Sequence, residues 1–242
     1  MTRFAEQMVL VTGGASGIGE ATSRLLSSEG ATVVIADVDD DRGAVLADEL
    51  GAQYVHLDVT DPAAWAALTQ GQSFTMAVLN AGVGARFDDL RNAADEIFER
   101  VMDVNVGGVF YGTRELFRSM AGRGGRISVT ASIASLAAHT QSPIYCASKW
   151  AVVGWVRAIA PSMSVEGVQI NAVCPGLVDT PILGPGGGDR MRQMGLKVLD
   201  AAEVAEAHAH ALLYDGTGTI FTIQAQLGLG EHTFNPPAGY QG

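Results

Sequence analysis

Short apolar runs alternate with helical stretches along this chain, and that alternation constrains its fold more than any other feature. MVLVT (8–12), TVVIAD (32–37), QYVHLDV (53–59), MAVLN (76–80), RISVT (126–130) and VQINAV (168–173) are rich in β-branched and apolar residues. Most lack the polar alternation of a half-exposed strand, as strands buried on both faces should. Between them lie stretches with helical spacing at roughly 17–29, 40–50, 62–70, 93–118 and 142–160, then a helix at 201–213 and a strand at 219–224. This order predicts an α/β domain, a parallel sheet covered by helices on both sides. The 242 residues suffice for one such domain with a sizeable core, and no repeat or compositional break marks a second, so residues 1–242 are read as a single domain.

The first strand runs into TGGASGIG (12–19), which opens a helix. Gly13, Gly17 and Gly19 permit a tight turn and close backbone approach, while a helix N-terminus offers free N–H groups and a positive dipole end to a pyrophosphate. Asp37 ends the second strand, 18 residues after Gly19, near where an acidic residue holds the adenosine ribose of a dinucleotide. A turn role for Asp37 is the alternative, because Asp39, Asp40 and Asp41 follow it.

YCASKWAVVGW (145–155) heads an apolar stretch of helical period. Tyr145 and Lys149 are one turn apart and share a face. A phenol becomes a general base near neutral pH only if its pKa falls about three units, worth about 4 kcal/mol. One positive charge about 4 Å away in an effective dielectric of about 20 supplies that much. Lys149 would be the source in that reading; the plainer alternative is a solvated Lys149 beside a Tyr145 that merely packs.

Taken together these segments resemble the short-chain dehydrogenase/reductase family. TGGASGIG matches its TGxxxGIG loop, LDV (57–59) its adenine-contacting Asp-Val pair and NAG (80–82) its strand-four turn. NVGGVF (105–110) matches its N-V-x-G segment, YCASK its Y-x-x-x-K, and NAVCPG (171–176) with VDTP (178–181) its N-x-x-x-P-G…T stretch. The motifs stand in the family's order and cover roughly residues 8–182.

The resemblance implies a Rossmann-like, doubly wound, seven-stranded parallel sheet. It implies a catalytic set of Asn105, Ser132, Tyr145 and Lys149. Ser132 is preferred over Ser128 and Ser135 because it precedes Tyr145 by 13 residues. It carries cofactor contacts to Gly13, Ser16, Gly17, Ile18 and Gly19 at the phosphates, Asp37 at the adenosine ribose, and Asp58 and Val59 at the adenine. Asn80, Ala81 and Gly82 border the cofactor, Lys149 also holds the nicotinamide ribose beside Tyr145, and Pro175, Gly176, Val178 and Thr180 border the nicotinamide. The implied activity is hydride transfer between NAD(H) and a secondary alcohol or ketone. Tyr145 would move the proton, Ser132 would hydrogen-bond the substrate oxygen, and Asn105 would support a water that relays protons outward. An NADPH-dependent ketone reductase is the alternative within the class, and a non-catalytic nucleotide-binding scaffold the alternative outside it. The intact Asn105, Ser132, Tyr145 and Lys149 weigh against the scaffold.

Some segments depart from the pattern. Only 22 residues separate Asp58 from Asn80, so a clipped helix is expected there. Pro161 should kink or end the helix that carries Tyr145, since proline has no N–H to donate. PILGPGGGDRMRQMG opens a substrate lid at about 181–200, whose consecutive glycines resist fixed structure. Ile182 or Leu183 should touch substrate, Met191 and Met194 are lid or core residues, and Arg190 and Arg192 are either anion ligands or surface cations. Residues 225–242 form an atypical C-terminal tail in place of the family's V-D-G-G segment.

Composition bounds the partners. A net charge of −11 argues against nucleic acid or an anionic membrane as partner, and no apolar run approaches a membrane span. The N-terminal stretch lacks the parts of a signal peptide, and Cys146 and Cys174 have no metal or redox spacing, so the cytoplasm is the expected compartment. His208 and His210, two apart on a helix, point in different directions, and no metal site is expected. The helix at 142–160 is apolar nearly all round. Val152, Val153, Val156 and Ile159 lie near the face of Tyr145 and Lys149, and Trp150 and Trp155 project away on opposite flanks. With the family's habit of pairing this helix and the one before it, the expectation is a homo-oligomer, dimer or tetramer.

Overall fold

A computed structural model describes residues 2–85 and 90–235. The first half alternates β1 (Met8–Thr12), α1 (Gly17–Ser28), β2 (Thr32–Asp37), α2 (Asp40–Leu50), β3 (Gln53–His56), α3 (Pro62–Gly71) and β4 (Met76–Leu79). The second half runs α4 (Asp95–Met102), α5 (Gly108–Met120), β5 (Gly125–Thr130), α6 (Pro143–Val165), β6 (Val168–Pro175), α7 (Gly187–Gln193), α8 (Ala201–Leu213), β7 (Ile220–Gln224) and β8 (Gly228–Glu231).

All eight strands form one sheet in the order β3-β2-β1-β4-β5-β6-β7-β8. The first seven are parallel, as the sequence predicts. Alternate residues of β1 feed opposite cores. Leu10 joins Val34, Trp65, Leu116 and Val152 on the side of α3, α5 and α6, whereas Val9 and Val11 join Leu26, Ile35, Leu46 and Leu212 on the side of α1, α2 and α8. From β1 the chain builds outward to β3, then crosses back to place β4 on the other side of β1. That reversal opens a crevice beyond the carboxyl ends of β1 and β4, where α/β sheets bind ligands.

Four local features differ from the sequence expectation. The sheet has an eighth strand, β8, antiparallel to β7, inside the stretch read as an atypical tail; the tail's residues 236–242 lie outside the described residues. The hairpin turns through Gln226 at φ 80° and Gly228 at φ 71°, a three-residue connection whose left-handed position is taken by glutamine instead of glycine or asparagine. The helix expected at 93–118 is two helices joined by a π-helical turn at Asp103–Gly107. Pro161 does not end α6, which runs on to Val165. Pro161 and Arg157, whose carbonyl it leaves without an N–H partner one turn earlier, are both exposed. The glycines at 186–188 cap and open α7: Gly186 takes the left-handed conformation, and Gly188 lies so close to the Asp179 carboxylate that a Cβ would collide with it. Among the described residues no helix is long and apolar enough to cross a membrane.

Candidate active site

The crevice is floored by the loop after β1. Gly13 has φ 60°, and a Cβ there would come within 2.9 Å of Ala81 Cα, so the β1 and β4 turns touch backbone to backbone. A Cβ at Gly19 would run into the Gly13 carbonyl. These two glycines let the loop fold back over the start of α1. Ser16 caps α1 with extended backbone, and no helix N–H occupies its hydroxyl. Ile18 packs partly into the core under α8. Asp37 closes one side: its carboxylate accepts the Ala15 N–H at 2.9 Å and the Val38 N–H at 2.8 Å. Asp58 lies just beyond β3 at the same sheet end, its carboxylate accepting the Thr60 N–H and hydroxyl. Val59 is buried against the Gly108 position, and its carbonyl accepts the Trp65 indole N–H.

Asn80 ties the two turns together. Its amide nitrogen donates to the Thr12 and Gly13 carbonyls at 3.1 and 3.2 Å, and Thr12 Oγ1 accepts the backbone N–H groups of Asn80 and Ala81. From the far side, the stretch after β6 returns over the loop. Gly176 is anchored on the Ile223 carbonyl, Val178 bridges to Leu199, and Thr180 with Pro181 stands against Gly17. The residues expected around a dinucleotide thus converge from five strand ends, with Pro175, the last residue of β6, starting the return.

Beside this loop stand the four residues expected to do chemistry. Ser132 follows β5 and starts a 3-10 turn by accepting the Ala134 N–H. Tyr145, in the first turn of α6, is near enough for the Ser132 side chain to bear on its phenol. Lys149 is buried, donates to the Thr130 carbonyl at 2.8 Å and has its ammonium 5.8 Å from the centre of the Tyr145 ring. Asn105 sits in the π-helical turn, which bulges it toward the β4 loop. Its side chain accepts the Val83 N–H at 2.8 Å and donates to the Val83 carbonyl and Ser148 hydroxyl, each at 3.0 Å. Asn105 Oδ1 and Lys149 Nζ both crowd Gly82, at 3.2 and 3.4 Å from where its Cβ would be.

Burial raises the Tyr145 phenol above its ordinary value, and the Ser132 side chain works against that rise. The same burial lowers the Lys149 ammonium to about 8. Spacing alone places the lysine one turn from the tyrosine; the fold turns its ammonium onto the Thr130 carbonyl instead.

The sequence singled out no role for Thr130, Thr12 or Ser148, all of which hold site residues in place. Cys174, which the sequence left without a role, is buried beneath Ser132 and Ser135, and burial pushes its thiol up to about 11. His208, read only as a helix residue, is fully buried and bonded to Ser128 and Thr130, while His210 is exposed. The lid cations are engaged internally. Arg192 pairs with Asp179, Asp189 and Asp200, and Arg190 donates to the Pro185 and Leu183 carbonyls. Ile182 is half-exposed and meets the Gly84 position on the β4 loop, whereas Met194 is exposed.

Residues 7–188 match the short chain dehydrogenase family. The chain is 38% identical over 189 residues to a 3-alpha-(or 20-beta)-hydroxysteroid dehydrogenase of Mycobacterium bovis, covering 74% of this chain and 72% of that protein. It is 37% identical over 237 residues to the mitochondrial borneol dehydrogenase of Lavandula x intermedia, covering 89% and 92% respectively. A crystal structure of a short-chain type dehydrogenase/reductase from Mycobacterium marinum has a TM-score of 0.85 at 26% identity, covering 92% of this chain and 95% of that one.

Proposed function

The chain belongs to the short-chain dehydrogenase/reductase family, and from that premise we propose that it interconverts a secondary alcohol and its ketone with NAD(H), as a single cytoplasmic catalytic domain. The observation that carries the reading is the meeting of Ser132, Tyr145, Lys149 and Asn105 beside a glycine loop that is open to close backbone approach.

The residues fit a dinucleotide. The close approach at Gly13 and Gly19 and the uncommitted Ser16 hydroxyl suit phosphate oxygens, and Asp37 presents acceptor oxygens at the end of β2 to ribose hydroxyls. When bound, the nicotinamide supplies the hydride acceptor or donor. The protein's part is the proton. Tyr145 Oη takes it from the alcohol oxygen on oxidation and returns it to the ketone oxygen on reduction. Ser132 donates to that oxygen as charge develops there. Lys149, held on the Thr130 carbonyl, keeps a positive charge beside the tyrosine ring, and Asn105 holds the β4 loop against the lysine end of α6.

The substrate read from the lid is neutral and apolar. Arg190 and Arg192 are both spent on internal partners, leaving Ile182 and Leu183 as the lid's approach to the crevice. Hydroxysteroid and borneol, the alcohols in the relatives' names, are of that kind. A panel of apolar secondary alcohols and ketones, followed at the nicotinamide absorbance with each cofactor, tests the proposal. Turnover of at least one pair is expected. Tight cofactor binding with no turnover of any pair would favour a scaffold, and a strict need for a carboxylate or phosphate on the substrate would overturn the apolar reading.

A further inference from the structure

Behind the sheet, on the side away from Tyr145, His208 of α8 spans two residues of β5. Its Nδ1 is 2.8 Å from the Ser128 hydroxyl and its Nε2 is 3.0 Å from the Thr130 hydroxyl. Ser128 and Thr130 are two apart on one strand and therefore share a face. All three are buried. Neither His208 nor Ser128 is assigned a part in the chemistry above, and Thr130 enters it only through its carbonyl; a buried imidazole with both nitrogens engaged is a costly thing to place in a core unless its donors and acceptors match.

They match in one direction only. The Asn80 amide nitrogen donates to the Thr12 and Gly13 carbonyls, so its Oδ1 must face the Thr130 hydroxyl, 3.1 Å away. Oδ1 carries no proton, and Thr130 has one to give, so Thr130 donates to Asn80. Thr130 Oγ1 is then left as an acceptor toward His208, which requires the imidazole proton on Nε2. Nδ1 keeps its lone pair and accepts from Ser128. The donors therefore run in series from Ser128 to His208, to Thr130, to Asn80, and end on the two carbonyls of the glycine loop.

We infer that His208 is a positioning residue for the cofactor loop: neutral, with its proton on Nε2, it orients the Thr130 hydroxyl and through it the Asn80 amide that clamps Thr12 and Gly13. The inference rests on the reading of Gly13–Gly19 as the cofactor's phosphate seat. The same residue, Thr130, gives its carbonyl to Lys149, so one strand end carries both the loop clamp and the lysine anchor. Burial, with the Lys149 charge nearby, drives the imidazole down to about 3, which keeps it neutral across the working range.

Two measurements on the full chain test this. Nitrogen NMR of the imidazoles, with His208 assigned by its loss in His208→Gln, should show the proton on Nε2 alone; a proton on Nδ1 or a charged ring near pH 7 overturns the donor order. Cofactor affinity is then read by quenching of tryptophan fluorescence. Glutamine can restore the donor toward Thr130, so His208→Gln should stay within about twofold of the unaltered chain, while His208→Leu should bind cofactor about tenfold more weakly, with kcat at saturating cofactor nearly unchanged. If His208→Leu does not fold, His208→Asn replaces it, since its amide reaches Ser128 but not Thr130, and the same loss is expected. Equal affinity in all variants overturns the inference alone. Failure of the unaltered chain to bind either nicotinamide cofactor overturns the function itself, and the inference with it.

Discussion

The Lys149 ammonium lies 5.8 Å from the centre of the Tyr145 ring and spends a hydrogen bond on the Thr130 carbonyl. The pair is therefore coupled across the ring and not through a direct lysine–hydroxyl contact. With burial raising the phenol, Tyr145 rests as the acid, the form that ketone reduction needs. Alcohol oxidation needs the phenolate, and the positive charge of an oxidised nicotinamide beside the ring favours it.

Replacing Tyr145 with phenylalanine removes the proton carrier and keeps the ring. Turnover should fall by roughly 10²–10⁴-fold while cofactor affinity changes little. Lys149→Ala should damage both, because it also leaves the Thr130 carbonyl without its buried donor. Single-turnover rates and fluorescence titrations separate the two effects. A Tyr145→Phe enzyme that kept more than about a tenth of its rate, with chemistry rate-limiting, would remove Tyr145 from the role.

Cofactor choice should follow Asp37. A 2′-phosphate would meet its carboxylate, and the nearest cation, Arg42, already sits 3.5 Å from Asp39. NAD(H) should be preferred over NADP(H) by at least about tenfold in kcat/KM, or about 1.4 kcal/mol. Asp37→Ser should narrow that ratio and weaken NAD(H) binding as well, since the carboxylate also accepts the Ala15 N–H that steadies the glycine loop. Equal kcat/KM with both cofactors in the unaltered enzyme would show that Asp37 does not discriminate.

The parallel core of the sheet was legible because its strands are apolar throughout and its helices keep a 3.6-residue period. The crevice was legible because Gly13, Gly17 and Gly19 lie between a strand and a helix, and because Tyr145 and Lys149 keep one-turn spacing. What escaped depends on contacts distant in sequence. Nothing near His208 announces that it faces Ser128 and Thr130, 80 and 78 residues away. β8 escaped because GLGE has no apolar alternation and its turn carries no Asn-Gly or Asp-Gly signal. The π-helical turn at Asn105 lies inside one helical stretch with no proline to mark a break, so periodicity reads straight through it. The orientation of Lys149 escaped because spacing fixes the face of a helix but not which carbonyl a long side chain reaches.

His208 also sets a pH dependence of stability. Its folded pKa of about 3 lies below the ordinary 6.5, so the unfolded chain binds this proton first as pH falls. Its contribution is fully present above about pH 6.5 and is lost progressively toward pH 3, to a limit of roughly 5 kcal/mol. Carboxylates titrate in part of the same window, so the test is a difference. Urea unfolding of the unaltered chain should lose stability more steeply between pH 6.5 and 4 than that of His208→Gln. Parallel curves would mean that His208 takes up no proton on unfolding.

The last prediction concerns the outer face of α6. An apolar groove of about 360 Å³ runs between α5 and α6, lined by Val106, Val109, Ala151, Gly154, Trp155 and Ala158. Trp150 beside it is 48% exposed and Phe110 36% exposed, with Phe110 packed edge-on against Trp155 at 5.2 Å. A face of small and aromatic residues left open to water is a place for a partner, and a second copy meeting it across a two-fold axis would close both grooves at once. At one edge of the sheet β8 already occupies the outer side of β7, so a further subunit cannot extend the sheet through β7 itself. The expected assembly is a dimer through α5 and α6. Light scattering at micromolar concentration should give twice the chain mass, and Ala151→Arg, which puts a charge in the groove, should weaken the dimer by at least about thirtyfold, the effect of losing roughly 2 kcal/mol at an interface centre. A monomer in the unaltered protein, or a dimer indifferent to Ala151→Arg, would move the interface elsewhere or remove it.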